Sequence, residues 1–421
     1  MSTSTMTPWN ANPTNRTIHL SCLICPTKSN GSESVTISSE YDYDSTSGLL
    51  VKEAFASGNT LGYVKTYDYD LFGNIKKDTK TPNDGSQPRV QTTEYTNDGR
   101  FKHISIDCLG NKTVSEVDAK LGVETSNTDI NDLSTTYTYN NFGEPKEYSN
   151  VLGKSNTVTA WSNGHAYAPA NALYYVKKEA TGKPTLWEFF DRLGQSLRKV
   201  TVAHNPNQLI FIDSRYDAKG QLIAISDPYY KGSSVILWNT KKYDEANRII
   251  ENINSSNSIT KFEYSGLTST VIDPNGNYTH KKVNQFGELL ESTDAAGSSV
   301  TYQYDINGNC IETNGPRTTI KTEYDNFGNR TKLIDPDLGT VTYKYDAYGN
   351  LTGKTDPNGS TEYTYDVVGR LIKEVRPDFT YDFVYDTKWK GSLSSKSCDN
   401  STSTEYFTMS MVVKYKRRKA S

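Results

Sequence analysis

The sequence lacks long apolar runs and an excess of charge of either sign. No stretch of its 421 residues approaches the roughly 20 consecutive apolar residues that a membrane-spanning helix needs. Only 34% of the residues are hydrophobic and the mean hydropathy is -0.69, which is too polar for a thick apolar core. With 46 basic and 49 acidic residues the net charge is -3, so the composition does not point to nucleic acid or to an anionic membrane as a partner.

Cysteine is also scarce. Five cysteines in a chain of this length do not make a disulfide framework. Cys22 and Cys25 form a C-x-x-C, but no second pair stands at zinc-ligand spacing, so we expect no metal or redox role for them. The other three are isolated in the sequence: Cys108, Cys310 and Cys398.

The motifs of known catalytic and cofactor sites are missing. The histidines lie far apart, and the sequence has no H-E-x-x-H, nucleophile elbow, phosphate-binding glycine loop or dinucleotide fingerprint. We therefore predict a protein that is not an enzyme and has no catalytic residue, cofactor or metal site. The segment Met1 to Asn15 holds no apolar run, so no cleavable secretory signal is recognised there.

What the sequence does contain is a tyrosine-aspartate pair that recurs at nearly constant spacing, each time with glycine three residues after the aspartate. In the four most regular copies the steps between tyrosines are 20, 21 and 20 residues. Such a period indicates one supersecondary unit stacked on itself. The predicted structural repeat residues are Tyr304, Asp305 and Gly308; Tyr324, Asp325 and Gly328; Tyr345, Asp346 and Gly349; and Tyr365, Asp366 and Gly369.

A second turn signal lies between the tyrosines. Strings such as Asp356-Pro357-Asn358-Gly359 follow about ten residues after a Tyr-Asp pair, and Asp, Pro and Gly each favour a tight turn there. Two turns in a unit of this length leave two strands of about six residues, an ordinary strand length. The sequence therefore predicts an all-β chain of antiparallel hairpin repeats of about 20 residues.

The tyrosines alternate with polar residues along the predicted strands, as Tyr343 and Tyr345 do. Residues two apart share a face of a strand, so we expect the tyrosines of stacked units to lie near one another. The prediction is an aromatic ladder that stabilises cross-strand pairs. The alternative is a stacking platform for sugars or bases.

The repeat is uneven along the chain, which suggests a division into five segments. We predict an irregular N-terminal segment, degenerate repeats, an insertion or loop where the signature is missing, regular repeats, and a Ser-rich and basic C-terminal tail. Their predicted bounds are 1–35, 36–159, 160–183, 184–390 and 391–421. The basic run at the end of the tail is interpreted as a solvated terminus.

The reiterated Y-D-x-x-G-[NR] pattern, with D-P-x-G between copies, resembles the RHS or YD repeat family. The resemblance covers roughly residues 36 to 390 and extends to the repeat region of bacterial insecticidal-toxin B/C-type proteins and other RHS toxins. It implies a spiralling β-sheet that forms part of a hollow shell around a toxin polypeptide. It also implies secretion or cell-surface delivery, and the rest of a larger RHS toxin or toxin complex as partner.

Two features of that family have no counterpart in this sequence. Members that process themselves carry a C-terminal core region with catalytic aspartates after the repeats, whereas the last repeat copy here closes near Asp386. The segments that precede the repeats in the insecticidal-toxin relatives are not recognised either. We therefore interpret the chain as a fragment of a larger architecture.

The repeated aspartates could suggest a catalytic site or a calcium site, but their positions in the sequence argue against both. Asp305, Asp325, Asp346 and Asp366 occupy one repeat position, so capping of turns explains them better than a catalytic pair formed four times. The spacing also lacks the distant Glu of an EF-hand loop. The predicted function is a non-catalytic segment of a toxin-enclosing β-shell; the alternative is an extracellular carbohydrate-binding or cell-surface adhesion module.

Overall fold

The regular structure of this protein is built from strands. The computed structural model describes residue 37, residues 39–399 and the strands Thr402–Met409 and Val412–Lys419; Thr404 is the only residue of these two strands whose side chain is described. The described residues form 35 strands and no helix. Cys22, Cys25, His19 and the predicted N-terminal segment 1–35 lie outside the described residues. The prediction of an all-β chain is confirmed.

The strands follow one another at short intervals. The first twelve are β1 (Ser39–Tyr43), β2 (Leu50–Phe55), β3 (Tyr63–Tyr69), β4 (Ile75–Pro82), β5 (Arg89–Tyr95), β6 (Lys102–Ile106), β7 (Lys112–Asp118), β8 (Val123–Thr128), β9 (Ser134–Tyr139), β10 (Pro145–Asn150), β11 (Gly153–Trp161) and β12 (Tyr174–Ala180). The next twelve are β13 (Lys183–Phe190), β14 (Ser196–Val202), β15 (Leu209–Tyr216), β16 (Leu222–Ser226), β17 (Tyr229–Tyr230), β18 (Trp238–Tyr243), β19 (Ile249–Ile253), β20 (Ile259–Ser265), β21 (Thr268–Ile272), β22 (Tyr278–Val283), β23 (Leu289–Thr293) and β24 (Ser299–Tyr304). The last eleven are β25 (Cys310–Asn314), β26 (Thr319–Tyr324), β27 (Arg330–Asp335), β28 (Gly339–Tyr345), β29 (Leu351–Asp356), β30 (Gly359–Tyr365), β31 (Leu371–Val375), β32 (Thr380–Tyr385), β33 (Leu393–Cys398), β34 (Thr402–Met409) and β35 (Val412–Lys419).

Consecutive strands pair antiparallel along most of the chain. In the regular repeats β28 pairs with β29, with Tyr343 opposite Lys354, and β29 pairs with β30, with Lys354 opposite Thr361. The order varies once: β15 pairs with β16 and also with the two-residue β17, while β16 pairs with β18. Hairpin repeats are therefore the building unit, as the turn spacing predicts.

The chain divides into two compact units. The first contains the described residues of Met1–Val117, Thr128–Asp132 and Tyr302–Ser421. The second contains Asp118–Asn127 and Leu133–Thr301. The first unit thus combines early, degenerate repeats with the most regular ones.

Burial is shallow, as the polar composition indicates. Among the described residues only Phe189 and Val200 are large side chains with almost no exposed surface. The strands of the regular repeats alternate instead: in β30 the tyrosines Tyr363 and Tyr365 are half-buried, and Glu362 and Thr364 are exposed. One face of each such strand is partly covered and the other is solvated.

The second unit holds one aromatic cluster. Phe189, Val200 and Phe211 form its buried centre. The loop 162–173 lies over it, because Tyr167 packs against both Trp187, at 5.5 Å between ring centroids, and Phe211, at 6.2 Å. Within the interval 160–183, predicted as an insertion or loop, the structure therefore has a loop that covers a core, followed by the strand β12.

The segment predicted as a C-terminal tail begins with regular structure too. Strand β33 pairs with β32, with Tyr385 opposite Leu393, and so continues the antiparallel order past residue 390. Strands β34 and β35 pair with each other beyond it. The five segment bounds drawn from the sequence stay predictions.

Candidate functional site

The repeated Tyr-Asp turns are the candidate site, since they are where the residue pattern is most constant. In the turn that starts at Asp305, the N–H of Gly308 donates to the Asp305 carbonyl at 3.2 Å, and the N–H of Asp305 donates to the Asn309 carbonyl at 2.9 Å. The Asp305 carboxylate Oδ1 accepts the N–H groups of Asn307 and Asn309, at 2.8 and 2.9 Å. The aspartate thus holds both central and closing residues of its own turn.

The other three regular turns have the same geometry. Asp325, Asp346 and Asp366 each accept the N–H groups two and four residues ahead, at 2.8 to 3.1 Å. The glycines adopt left-handed φ values of 83 to 89°: Gly308, Gly328, Gly349 and Gly369. This is where the structure places the predicted repeat residues: the aspartates and glycines close each turn, and the tyrosines end the strand before it.

A one-residue bulge accompanies the regular turns that start at Asp325, Asp346 and Asp366. The register of β28 against β29 shifts between Lys344 and Tyr345, and that of β30 against β31 shifts between Thr364 and Tyr365. A tight turn whose last residue is left-handed produces this bulge in a three-residue hairpin loop. Asn247, at φ 65°, takes the glycine position in another turn, because Asn is among the few other residues that enter this conformation readily.

The residue after the glycine completes the turn. When it is Asn, its Nδ2 donates to the second carboxylate oxygen, as Asn329 does to Asp325 at 3.0 Å. When it is Arg, the guanidinium replaces that amide: Arg370 Nε donates to Asp366 Oδ2 at 2.7 Å, and its two terminal nitrogens donate to Asp386 at 2.9 and 2.8 Å. Hydrogen bonds to Asp386 and Asp366 raise the pKa of Arg370. In both variants each oxygen of the turn carboxylate accepts at least one hydrogen bond from within its own turn.

In many units the tyrosine is anchored to the preceding unit through its hydroxyl group. Tyr345 donates to the Arg330 carbonyl at 3.0 Å, Tyr365 to the Leu351 carbonyl at 2.8 Å and Tyr385 to the Leu371 carbonyl at 3.0 Å. In each case the acceptor stands two residues after the glycine of the preceding turn. The same bond recurs in Tyr69, Tyr95, Tyr139, Tyr216, Tyr243 and Tyr264. Sequence reasoning missed this contact, because the acceptor lies between 14 and 21 residues before the tyrosine and no fixed interval marks it.

The expected ladder of neighbouring tyrosines is wrong for these repeats. Tyr343 lies opposite Lys354, Tyr363 lies opposite Glu374, and the described ring contacts include none between Tyr343 and Tyr363. The reason is that only one of the two strands of each unit carries tyrosine, so tyrosine-bearing strands are separated by a whole strand, about 10 Å in all. The nearest cation to the Tyr343 ring is the Arg330 guanidinium, at 4.6 Å from its centroid.

Tyr-Asp turns of the first unit dock on loops from its other repeats. We call the loops on the opposite ends of the hairpins connecting loops; residues 56–62, 83–88 and 129–133 are examples. Phe327, in the turn after Tyr324, lies 6.0 Å edge-on from Phe55 at the start of the first of these loops. The Asn131 side chain, in the last, bonds both the N–H and the carbonyl of Lys390, at 2.8 and 3.2 Å.

The most extensive of these docking contacts involves Tyr348. Its hydroxyl donates to the Gln87 carbonyl at 2.9 Å, and the Arg89 guanidinium lies 3.6 Å from the centre of its ring. The neighbouring Ala347 N–H donates to Asp84 Oδ2 at 2.7 Å, and Arg89 Nε donates to the Val367 carbonyl at 2.6 Å. A Tyr-Asp turn therefore recognises a connecting loop by an inserted side chain and by bonds to its backbone.

The family can now be assigned. The model of the RHS repeat matches residues 284–320, 324–361 and 345–378, which hold the regular turns described above. This chain contains RHS repeats. No curated protein matches its sequence.

Solved structures similar to this RHS-repeat chain extend the assignment to its fold. The crystal structure of TcdB2-TccC3-Cdc42 matches with a TM-score of 0.74 at 13% identity, over 91% of this chain and 29% of that one. The structure of TcdB2-TccC3 matches with a TM-score of 0.72 at 14% identity, over 90% and 27%. The chain thus shares the fold of those structures and spans less than a third of their length.

The described part of this RHS-repeat chain holds no group of three or more His, Cys, Asp or Glu side chains placed to bind a metal ion. An open cleft of about 530 Å³ beside Tyr348 is lined by Asp346 and Asp366, but both carboxylates are used inside their own turns. No helix of the described residues is long and apolar enough to cross a membrane.

Proposed function

We propose that this RHS-repeat chain is a wall segment of a β-shell that encloses or presents a toxin polypeptide. The observation that carries the proposal is the fold, shared over 91% of the chain with the TcdB2-TccC3-Cdc42 structure. The rest of a larger RHS toxin or toxin complex would supply the other walls. The complete assembly would be secreted or delivered to the cell surface of a bacterium.

The contacts of the repeats support a steric role. The aspartate, glycine and asparagine of a turn bond one another, and tyrosine hydroxyls such as that of Tyr365 tie one hairpin to the preceding one. Docking of Tyr-Asp turns on connecting loops covers hairpin ends in the first unit. Such a wall would isolate an enclosed polypeptide without catalysis.

The experiment is protease protection in the natural assembly. The chain is tagged at its chromosomal locus, the assembly is purified, and co-purifying polypeptides are identified by mass spectrometry before and after protease digestion. We expect at least one polypeptide to resist digestion until the assembly is denatured by heat. Equal digestion rates for every co-purifying polypeptide, with and without heating, would refute the shell function.

Glycan binding stays a prediction. The regular tyrosines donate their hydroxyls to backbone carbonyls, as Tyr365 does to Leu351, and this use does not depend on a sugar.

A further inference from the structure

The Tyr-Asp turns differ in what covers their tips. We define the tip as the residue immediately before the turn glycine or its Asn equivalent. In the first unit the tips Phe327 and Tyr348 are half-buried, against Phe55 and against the connecting loop 83–88 respectively, whereas the tip Phe72 is 61% exposed. Ala347 beside Tyr348 is only 7% exposed.

Three tips of the second unit have the same position in the turn but lie open. Phe142 is 90% exposed, Leu193 is 72% exposed and Phe286 is 71% exposed. Their turns are formed in the same way: the Asn140 Oδ1 accepts the N–H groups of Phe142 and Glu144, at 2.9 and 3.0 Å. An apolar tip is not required by this turn geometry. Lys219 occupies the same position in the turn that starts at Asp217, which has the same hydrogen bonds.

Large apolar side chains exposed at repeated positions indicate a surface that a partner covers. We propose that the tips Phe142, Leu193 and Phe286 are docking sites for connecting loops of a further RHS-repeat layer. The further layer belongs to another part of the assembled shell, so the inference rests on the shell function proposed above.

The occupant is inferred from the docked tips of the same chain. Tyr348 shows what a tip binds: backbone carbonyls of a connecting loop, an acidic side chain that accepts a turn N–H, and a cation at the following strand. Connecting loops with exposed apolar residues also occur here, at Val151, which is 69% exposed, and at Leu338, which is 61% exposed. A connecting loop with such an exposed apolar residue, in another layer, would pack against an open tip as Phe55 packs against Phe327.

The size of the similar structures is consistent with such a layer. This chain covers 29% of the chain in the TcdB2-TccC3-Cdc42 structure, whose fold it shares. A shell of that size needs repeats beyond those of this chain, and each added layer needs a row of contacts to the layer beside it.

Site-specific photo-crosslinking tests the proposal in the purified natural assembly. A photoreactive phenylalanine analogue replaces Phe142 in one variant and Phe286 in a second. A third variant carries it at Tyr348, where crosslinks within the chain to residues 80–89 report that the folded chain is intact. A fourth carries it at Lys219, an exposed tip without an apolar side chain, which measures accidental contact.

We expect positions 142 and 286 to give at least severalfold more crosslinked product than position 219. The crosslinked peptides should be connecting loops of RHS repeats from another polypeptide of the assembly. Yields equal to that at position 219 would overturn the proposal, as would crosslinks to sequences without RHS repeats. Crosslinks to a second copy of this chain, recognised in a mixture of isotope-labelled and unlabelled copies, would overturn it too.

The crosslinking experiment can fail independently of the protease-protection experiment. If an enclosed polypeptide is protected while the two tips crosslink no better than position 219, the shell function stands and the docking sites do not. Loss of protection in the unmodified assembly would instead remove the shell function itself.

Discussion

The aromatic cluster of the second unit and the regular repeats of the first are stabilised by different interactions. Around Phe189, rings pack at 5.0 to 5.5 Å from His165 and Tyr175, and burial lowers the pKa of His165. Beside this cluster Arg198 makes a two-pronged ion pair with Asp213, at 2.5 and 2.7 Å. The regular repeats from Tyr304 to Tyr385 have no comparable centre among their described residues.

A repeat array is stabilised locally, unit by unit, whereas an irregular segment relies on a core. The regular repeats distribute stability over turn carboxylates, left-handed glycines and tyrosine hydroxyls, each of which contributes modestly. The aromatic cluster instead derives its stability from a few buried side chains. Substitutions should therefore have large effects in the cluster and small, repeated effects in the array.

The largest effect is expected for Phe189→Ala. Removing a fully buried ring leaves a cavity that the surrounding strands fill only partly, and we expect a loss of about 3–5 kcal/mol. Hydrogen exchange of the amides in β12, β13 and β14 measures it. Phe190→Ala, at a half-buried ring that stacks on Tyr174, is the matched control and should cost less. Equal acceleration of exchange in the two variants would contradict a localised core.

A smaller loss is expected for Gly349→Ala in the array. The glycine has a φ of 83°, and a methyl group added there meets no atom within 4 Å, so the cost is backbone strain of about 1–2 kcal/mol. Gly349→Asn should recover most of it, because Asn247 adopts this conformation naturally. Urea denaturation measures both. If Ala and Asn destabilise the chain equally, left-handed strain is not what selects glycine there.

The next effect in size concerns the tyrosine hydroxyl. Tyr345→Phe removes the bond to the Arg330 carbonyl and should cost about 1 kcal/mol. Tyr343→Phe, on the same strand, removes a hydroxyl for which the structure has no hydrogen bond and should change stability little. Thermal unfolding of the two variants side by side measures the difference. Comparable melting temperatures would mean that the hydroxyl anchor does not stabilise the array.

The smallest effect is a dependence on pH. Hydrogen bonds from the Asn277 side chain and backbone, and from the N–H of Asn275, lower the pKa of Asp273. Because the folded-state pKa lies below the unfolded value of about 3.9, the stabilising contribution is full above that pH and disappears as the pH falls through the folded pKa. Melting temperatures measured from neutral pH down to about pH 2 should therefore fall at the acid end.

Asp273→Asn isolates this contribution. Asn254 and Asn284 already bond their own turns through Oδ1, so the turn should persist at neutral pH. The variant should show a weaker fall in melting temperature at acid pH than the natural chain. An unchanged acid profile would assign the pH dependence to other carboxylates.

Part of this architecture could be predicted because its causes lie close together in sequence. The bonds from Asp305 to Asn307 and Asn309 span two and four residues, so the residue pattern alone indicates the turn. Strand length and antiparallel order follow from the turn spacing. The prediction of a tyrosine ladder is wrong. Residues two apart do share one face of their strand, but the tyrosine-bearing strands are not adjacent, so their rings do not meet.

The hairpin repeat and the role of aspartate and glycine in it follow from the local residue pattern, because those residues act on backbone atoms of their own turn. The carbonyl that each tyrosine reaches, the cover of loop 162–173 over Phe189 and the docking of Tyr348 on the loop 83–88 depend on tertiary packing. Those contacts join residues 14 to more than 260 positions apart, and their partners depend on how hairpins lie against one another. No local pattern encodes that arrangement.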